Sequence, residues 1–227
     1  MREPSNNEMN LPKPAQATEL RRLSRCSADQ EARLRRGVFL DLNGTLVAPI
    51  LVEHPSDLRL IDGVAGCVAQ LCRAGFVCPV ITVQSRIEKG LFTDGEFRAW
   101  FAGFARDLAT KGALVVGPYV CPHRFRTPCL CKKPSTLLYE QAAADHDVDL
   151  AGSYVIGDSA GDVEAAARFG GRGCLLSTEG PAPSAGMPSS SATYRARTMP
   201  EVVEWILSQE AAEQPDAADG ASRRRPA

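Results

Sequence analysis

Val38-Phe39-Leu40-Asp41-Leu42-Asn43-Gly44-Thr45 is the stretch that most constrains this chain. A short apolar run ends in a carboxylate, and an Asn-Gly pair breaks the run two residues later. The run reads as a buried strand and the Asn-Gly pair as a turn. In an open α/β sheet, ligands bind beyond the carboxyl ends of the strands, which would put Asp41 at a ligand crevice. A plain β-hairpin is the competing reading of a strand followed by Asn-Gly. The rest of the chain decides between them.

From Val38 onward, apolar runs alternate with helical patterns. Strands are expected over 77–83, 113–116, 153–156 and 173–176, besides the first. Helices are expected over 62–74, from Thr93 through Leu108, from Pro134-Ser135 through Ala142, over 160–169 and over 200–209. Thr93-Asp94-Gly95-Glu96 has the spacing of a capping box. The wide stripe of Phe97, Trp100, Phe101, Phe104 and Leu108 behind it reads as core rather than a ligand box. Buried strands alternating with helices imply an α/β fold, a Rossmann-like parallel sheet with helices on both faces. With 227 residues, 44% of them apolar, the chain can bury one domain, expected over 37–210. Residues 1–36, Arg-rich and carrying three prolines, read as a disordered or weakly helical leader. Residues 177–191 read as an irregular loop and 211–227 as a disordered polar tail.

A formal net charge of −1 argues against bulk electrostatic binding to nucleic acid. No apolar run is long enough to span a bilayer. Eight cysteines, three of them clustered and the rest scattered, suit a reducing compartment, so a cytoplasmic, monomeric protein is expected.

Three expected strand ends carry Asp41, Thr82 and Asp158, and Lys133 lies on a following loop. Two carboxylates, a hydroxyl and an ammonium at one sheet edge suit phosphoryl transfer. Asp41 can attack phosphorus, Asp41 and Asp158 can hold Mg²⁺, and Thr82 and Lys133 can neutralise the moving phosphoryl oxygens. Singly, each has an ordinary alternative: Thr82 as a strand residue, Asp158 as a helix N-cap. Cys121, His123, Cys129 and Cys131 offer three thiolates and one imidazole within eleven residues, a closed tetrahedral Zn²⁺ set. Such a set pins a loop, here the one that leads directly into Lys132 and Lys133.

These motifs, with Ile61-Asp62-Gly63-Val64, Gln84-Ser85 and Gly157-Asp158 with Asp162, resemble the haloacid dehalogenase (HAD) superfamily over about residues 37–208. Within it the chain is similar to the heptose-bisphosphate and histidinol-phosphate phosphatases, which have a minimal cap and a zinc-pinned loop. The resemblance implies a phosphatase for a small phosphorylated metabolite, a sugar phosphate first. It implies Asp41 as nucleophile and Mg²⁺ ligand, the Asn43 carbonyl and Asp158 completing the metal site, and Asp162 supporting that loop. Thr82 and Lys133 would stabilise the phosphoryl group, and Gln84, Ser85 and Lys132 would face the substrate.

The chain departs from the family pattern at four places. Asn43 stands where the family has its general acid–base aspartate. Val83 replaces a common amide, Arg86 stands at a usual glycine, and Ser159 at a frequent lysine. Two readings stay open: a Mg²⁺-dependent phosphatase slowed on alkyl phosphates, and a catalytically weak phosphosugar-binding or regulatory protein. A receiver-like signalling domain is a distant third.

Overall fold

The computed structural model describes residues 34–177 and 191–213. Nearly all of the expected leader, most of the 177–191 loop and most of the tail lie outside the described residues. The domain is framed by strand β1, Arg35–Leu40, and a last helix, α6, Met199–Glu213.

After β1 come the two-residue strands β2 (Val47–Ala48) and β3 (Arg59–Leu60), which pair antiparallel. Next are α1 (Val64–Arg73), β4 (Pro79–Val83), the single turn α2 (Ser85–Glu88), α3 (Asp94–Ala109) and β5 (Val116–Cys121). The chain continues through α4 (Leu137–His146), β6 (Val148–Gly157), α5 (Ala160–Arg168), β7 (Arg172–Leu176) and β8 (Tyr194–Ala196) to α6. The main sheet has the order β5-β4-β1-β6-β7-β8, and every pair in it is parallel. β1 does not pair with β2 as a hairpin. Its neighbours are β4 and β6, far away in sequence.

Alternation in β1 explains the two layers. Val38 and Leu40 pack with Val64, Val68, Phe97, Val202 and Ile206 from α1, α3 and α6. Phe39 points to the other face and packs with Leu138, Tyr139 and Ala165 from α4 and α5. All three β1 side chains are fully buried, each contributing about 1.5–3 kcal/mol of transfer free energy. The Phe39 ring meets Tyr139 edge-on at 5.4 Å, which locks α4 onto this strand.

The capping box on α3 is formed: Glu96 N–H donates to Thr93 Oγ1 at 3.1 Å, and Thr93 N–H donates to Glu96 Oε2 at 2.7 Å. The aromatic stripe is only half core. Phe97 and Phe101 are buried, whereas Trp100 and Phe104 are half-exposed, stacked at 5.2 Å beside Leu58 and Leu60. The stripe is wider than the face the sheet can cover.

The expectation of a strand over 113–116 needs correction. Pairing begins at Val116 and runs to Cys121, because Leu114 faces solvent and Val116 registers with Pro79. Gly117-Pro118 masks the strand in sequence. A proline fits here because β5 is the edge of the sheet.

Candidate active site

Four adjacent strands, β5, β4, β1 and β6, end on one side and deliver the chemistry-bearing residues there. Asp41 follows β1 directly, and its N–H donates to the Ile156 carbonyl of β6 at 2.9 Å. Thr82 is the penultimate residue of β4, and Asp158 follows the last residue of β6. Asp41, Asn43, Thr82, Gln84, Ser85, Lys132, Lys133 and Asp158 all line one cavity of about 380 Å³.

Lys133 is the centre of an ion triad. Its Nζ donates to Asp41 Oδ1 and to Asp162 Oδ1, each at 2.6 Å, and all three side chains are largely buried. Burial alone would lower the Lys133 pKa. The two carboxylates more than offset it and hold the ammonium well above its ordinary value. Asp162 Oδ2 also accepts from the Ser159 hydroxyl at 2.5 Å and from Ser159 N–H at 3.3 Å, tying the start of α5 to the triad. The residue flanking α5 is thus Ser159, so Asp158 is free of capping duty.

Asp158 owes its place to a glycine. Gly44 has φ +88°, and a Cβ there would lie 2.1 Å from Asp158 Oδ2. The Asn43-Gly44 turn is therefore a backbone cradle for this carboxylate. Gly157 plays the same part for Asp162, whose Cγ would lie 2.2 Å from an added Cβ.

The charge is unbalanced. Asp41, Asp158 and Asp162 gather around one ammonium, so carboxyl groups outnumber the cation they share. Burial, with Asp162 and Asp158 nearby, pushes the Asp41 carboxyl up to about 7 despite Lys133. Burial and Asp162 likewise raise Asp158. Crowded carboxyl groups, with those of Asp41 and Asp158 on the cavity wall, fit a bound Mg²⁺.

Asn43 is held at both ends of its amide. Gln84 Nε2 donates to Asn43 Oδ1 at 2.7 Å and to Thr82 Oγ1 at 2.9 Å, while Asn43 Nδ2 donates to the Ile50 carbonyl at 3.2 Å. Gln84 is buried on the cavity wall and brackets two strand ends. Its own N–H donates to the Cys121 carbonyl at 2.8 Å.

The ligand atoms of Cys121, His123, Cys129 and Cys131 lie within 4.8 Å of one another. Cys121 and Cys129 sulfurs are 3.8 Å apart, and His123 Nδ1 is 3.3 Å from Cys131 Sγ. A tetrahedral zinc with Zn–S bonds of about 2.3 Å needs an S···S edge of about 3.8 Å. The donor set and its spacing fit zinc. Lys132, which follows the last of these cysteines, lines the cavity, but its ammonium is turned to the carbonyls of Arg124, Phe125 (2.9 Å) and Thr127 (3.1 Å). The expectation that Lys132 faces the substrate therefore meets an ammonium already engaged within the loop.

The family model described as HAD-hydrolase-like matches residues 130–199. The D-glycero-beta-D-manno-heptose-1,7-bisphosphate 7-phosphatase of Yersinia pestis is 34% identical over 137 residues, 57% of this chain and 73% of that protein. The chain belongs to the HAD-like phosphatases. A second member, from Bordetella bronchiseptica and of the same name, is 32% identical over 143 residues, 62% of this chain and 80% of that one. The crystal structure of D,D-heptose 1,7-bisphosphate phosphatase from B. bronchiseptica, complexed with magnesium and phosphate, superposes on this HAD-like chain with a TM-score of 0.66. It is 28% identical and covers 77% of this chain and 99% of that chain.

Proposed function

We propose that this HAD-like protein is a Mg²⁺-dependent phosphatase for a phosphorylated sugar, working through an aspartyl-phosphate on Asp41. The observation that carries this is the convergence of Asp41, Thr82, Lys133 and Asp158 on one cavity. The naming of the relatives as heptose-bisphosphate phosphatases supports the sugar.

Asp41 attacks phosphorus through its free carboxylate oxygen, while Lys133 holds the other. Thr82 and Lys133 neutralise charge on the phosphoryl oxygens as the bond to the leaving oxygen breaks. Magnesium, held by the carboxylates of Asp41 and Asp158 and by the Asn43 carbonyl, would supply positive charge to the phosphoryl group. Lys133 meanwhile fixes the rotamer of Asp41, so the nucleophile needs little reorganisation.

Asn43 alters both halves of the cycle. Its amide can neither protonate the leaving oxygen nor deprotonate the attacking water. Phosphorylation of Asp41 then proceeds with leaving groups that need no proton, and hydrolysis of the phosphoenzyme is slow. Intact-mass measurement during turnover of an aryl phosphate should show one phosphoryl group on the protein, absent in Asp41→Asn. An unmodified mass during measurable turnover contradicts the scheme. The amide bonded at both ends favours a second reading, a phosphosugar-binding protein of little activity. Binding without either turnover or phosphoenzyme, even with aryl and acyl phosphates, selects that reading.

Zinc at Cys121, His123, Cys129 and Cys131 would staple the loop that leads into Lys133. One zinc per chain is expected by metal analysis of protein purified without chelator, and Cys129→Ser should lower that content sharply. A zinc-free wild-type protein would rule out the staple.

A further inference from the structure

Besides Cys121, Cys129 and Cys131, the described residues hold Cys67, Cys72, Cys78 and Cys174, all as free thiols. Burial pushes the thiols of Cys67 and Cys174 up, the latter to about 12, which makes both inert core residues. Cys72 and Cys78 differ from these. Cys72 is the penultimate residue of α1, and Cys78 directly precedes β4. Their sulfurs lie 4.0 Å apart, in contact. Cys78 is buried, whereas Cys72 is half-buried and its neighbours Arg73, Ala74, Gly75 and Leu114 are exposed. A reagent from solvent therefore meets Cys72 first. Leu114 N–H donates to Cys72 Sγ at 3.3 Å.

The last turn of a helix is a poor place for a thiolate, because the free carbonyls there repel it. The Cys78 thiol, the Leu114 N–H and the Arg73 charge offset this and hold the Cys72 thiol below its ordinary value, despite partial burial. The contact with Cys72, together with burial, pushes Cys78 well above its own. One sulfur is thus set up to attack and its neighbour stays a neutral thiol. We infer that Cys72 is a site of oxidation by hydroperoxides and that Cys78 is its resolving partner, the two closing to a reversible disulfide. The Cys72 thiolate attacks a peroxide oxygen, an S–O bond forms, the O–O bond breaks, and the departing oxide takes a proton. Sulfur gives up two electrons and becomes a sulfenic acid. Cys78 then attacks the Cys72 sulfur. The S–S bond forms as the S–O bond breaks, and hydroxide leaves as water with the Cys78 proton. Closure needs the sulfurs to approach by about 2 Å, which falls on the short turn between α1 and β4. A transient cross-link of this kind suits a reducing compartment. The pair lies outside the Asp41 cavity and at the other end of β4 from Thr82, so the inference does not depend on the phosphatase reading.

The test treats the reduced full chain with hydrogen peroxide and maps it by mass spectrometry after trypsin. Arg73 lies between the two cysteines, so cleavage places them on separate peptides, 60–73 and 74–86. Wild type should show these two joined through Cys72 and Cys78, two hydrogen atoms lighter than their sum and separated again by dithiothreitol. Cys78→Ala should lose the link and instead carry a dimedone adduct on Cys72, the mark of a stranded sulfenic acid. Cys72→Ser should show neither link nor adduct. In untreated wild type at neutral pH, iodoacetamide should label Cys72 about tenfold or more faster than Cys67 or Cys174. Wild type without the link, a link that persists in Cys72→Ser, or labelling of Cys72 no faster than Cys67 overturns the inference. The mapping and labelling of wild type need no variant to fold, and circular dichroism checks the two variants.

Discussion

Asn43→Asp should raise kcat on alkyl phosphates by about 10²–10⁴-fold, the usual contribution of general acid–base catalysis. The surroundings already suit an acid. Gln84 Nε2, now 2.7 Å from Asn43 Oδ1, would find the same acceptor in a carboxyl group. The other oxygen would replace the amide nitrogen that faces the Ile50 carbonyl at 3.2 Å. Two oxygens at that separation repel unless a proton lies between them, so this contact favours the protonated acid, the form that can serve the leaving oxygen. Ile50 is more than half exposed, so its loop can also give way. In kcat/KM, which reports the phosphorylation step, the gain should be much smaller on p-nitrophenyl phosphate, whose leaving group departs as a stable anion. Phosphoenzyme should stop accumulating, because the new carboxylate can activate water. Parallel kinetics on the two substrates check this. No gain on the alkyl ester, or an equal gain in kcat/KM on both, would sink the assignment of position 43.

Lys133→Ala should abolish activity and destabilise the fold together. Its ammonium separates Asp41 from Asp162 with contacts of 2.6 Å to each, and removal leaves two desolvated carboxylates facing each other. Breaking a buried ion pair in this way costs about 3–5 kcal/mol, or about 6–20 °C of Tm for a domain of this size. The deficit depends on pH. Asp41 in the wild type is already raised from 3.8 to about 7, chiefly by burial. A carboxyl raised on folding adds stability at low pH, and that contribution is lost as pH climbs through the folded value. Without Lys133 that value moves higher, so protonation cushions the variant at pH 6 and less so at pH 8. Thermal melts in magnesium-free buffer should therefore show a larger gap from wild type at pH 8. Lys133→Ala combined with Asp162→Asn should recover part of the stability and none of the activity. Equal melts for wild type and Lys133→Ala at both pH values would mean that the triad is not a cohesive unit in solution.

Much of the site is readable in the residues. The apolar run before Asp41, the turn at Asn43-Gly44 and the order of Thr82, Lys133 and Asp158 suffice to suggest one sheet edge, because strand ends in a parallel sheet converge. β5 escapes its expected place because its middle is Gly117-Pro118, which reads as a break, while exposed Leu114 looks like strand. β2, β3 and β8 are two or three residues long, too short for any periodicity. Contacts among side chains carry no sequence signature. Nothing in the spacing says that Gln84 would bracket Asn43 and Thr82, or that Lys132 would turn back onto its own loop. One clue does lie in the spacing Ser159-x-x-Asp162, a cap-like pair whose second carboxylate oxygen is left for Lys133.

The loop from Cys121 to Cys131 is fastened twice over. The Cys/His cluster gathers its two ends, and Glu88 on α2 grips its far side through Arg124 N–H and the Thr127 hydroxyl (2.9 Å). Between those anchors Phe125 stands almost wholly in solvent at the cavity mouth. These anchors lie between the exposed tip and the buried ion pair of Asp41 and Lys133. Drift at the tip can retune what is admitted while Asp41 and Lys133 stay where they are, a separation that lets one scaffold change its diet without relearning its chemistry.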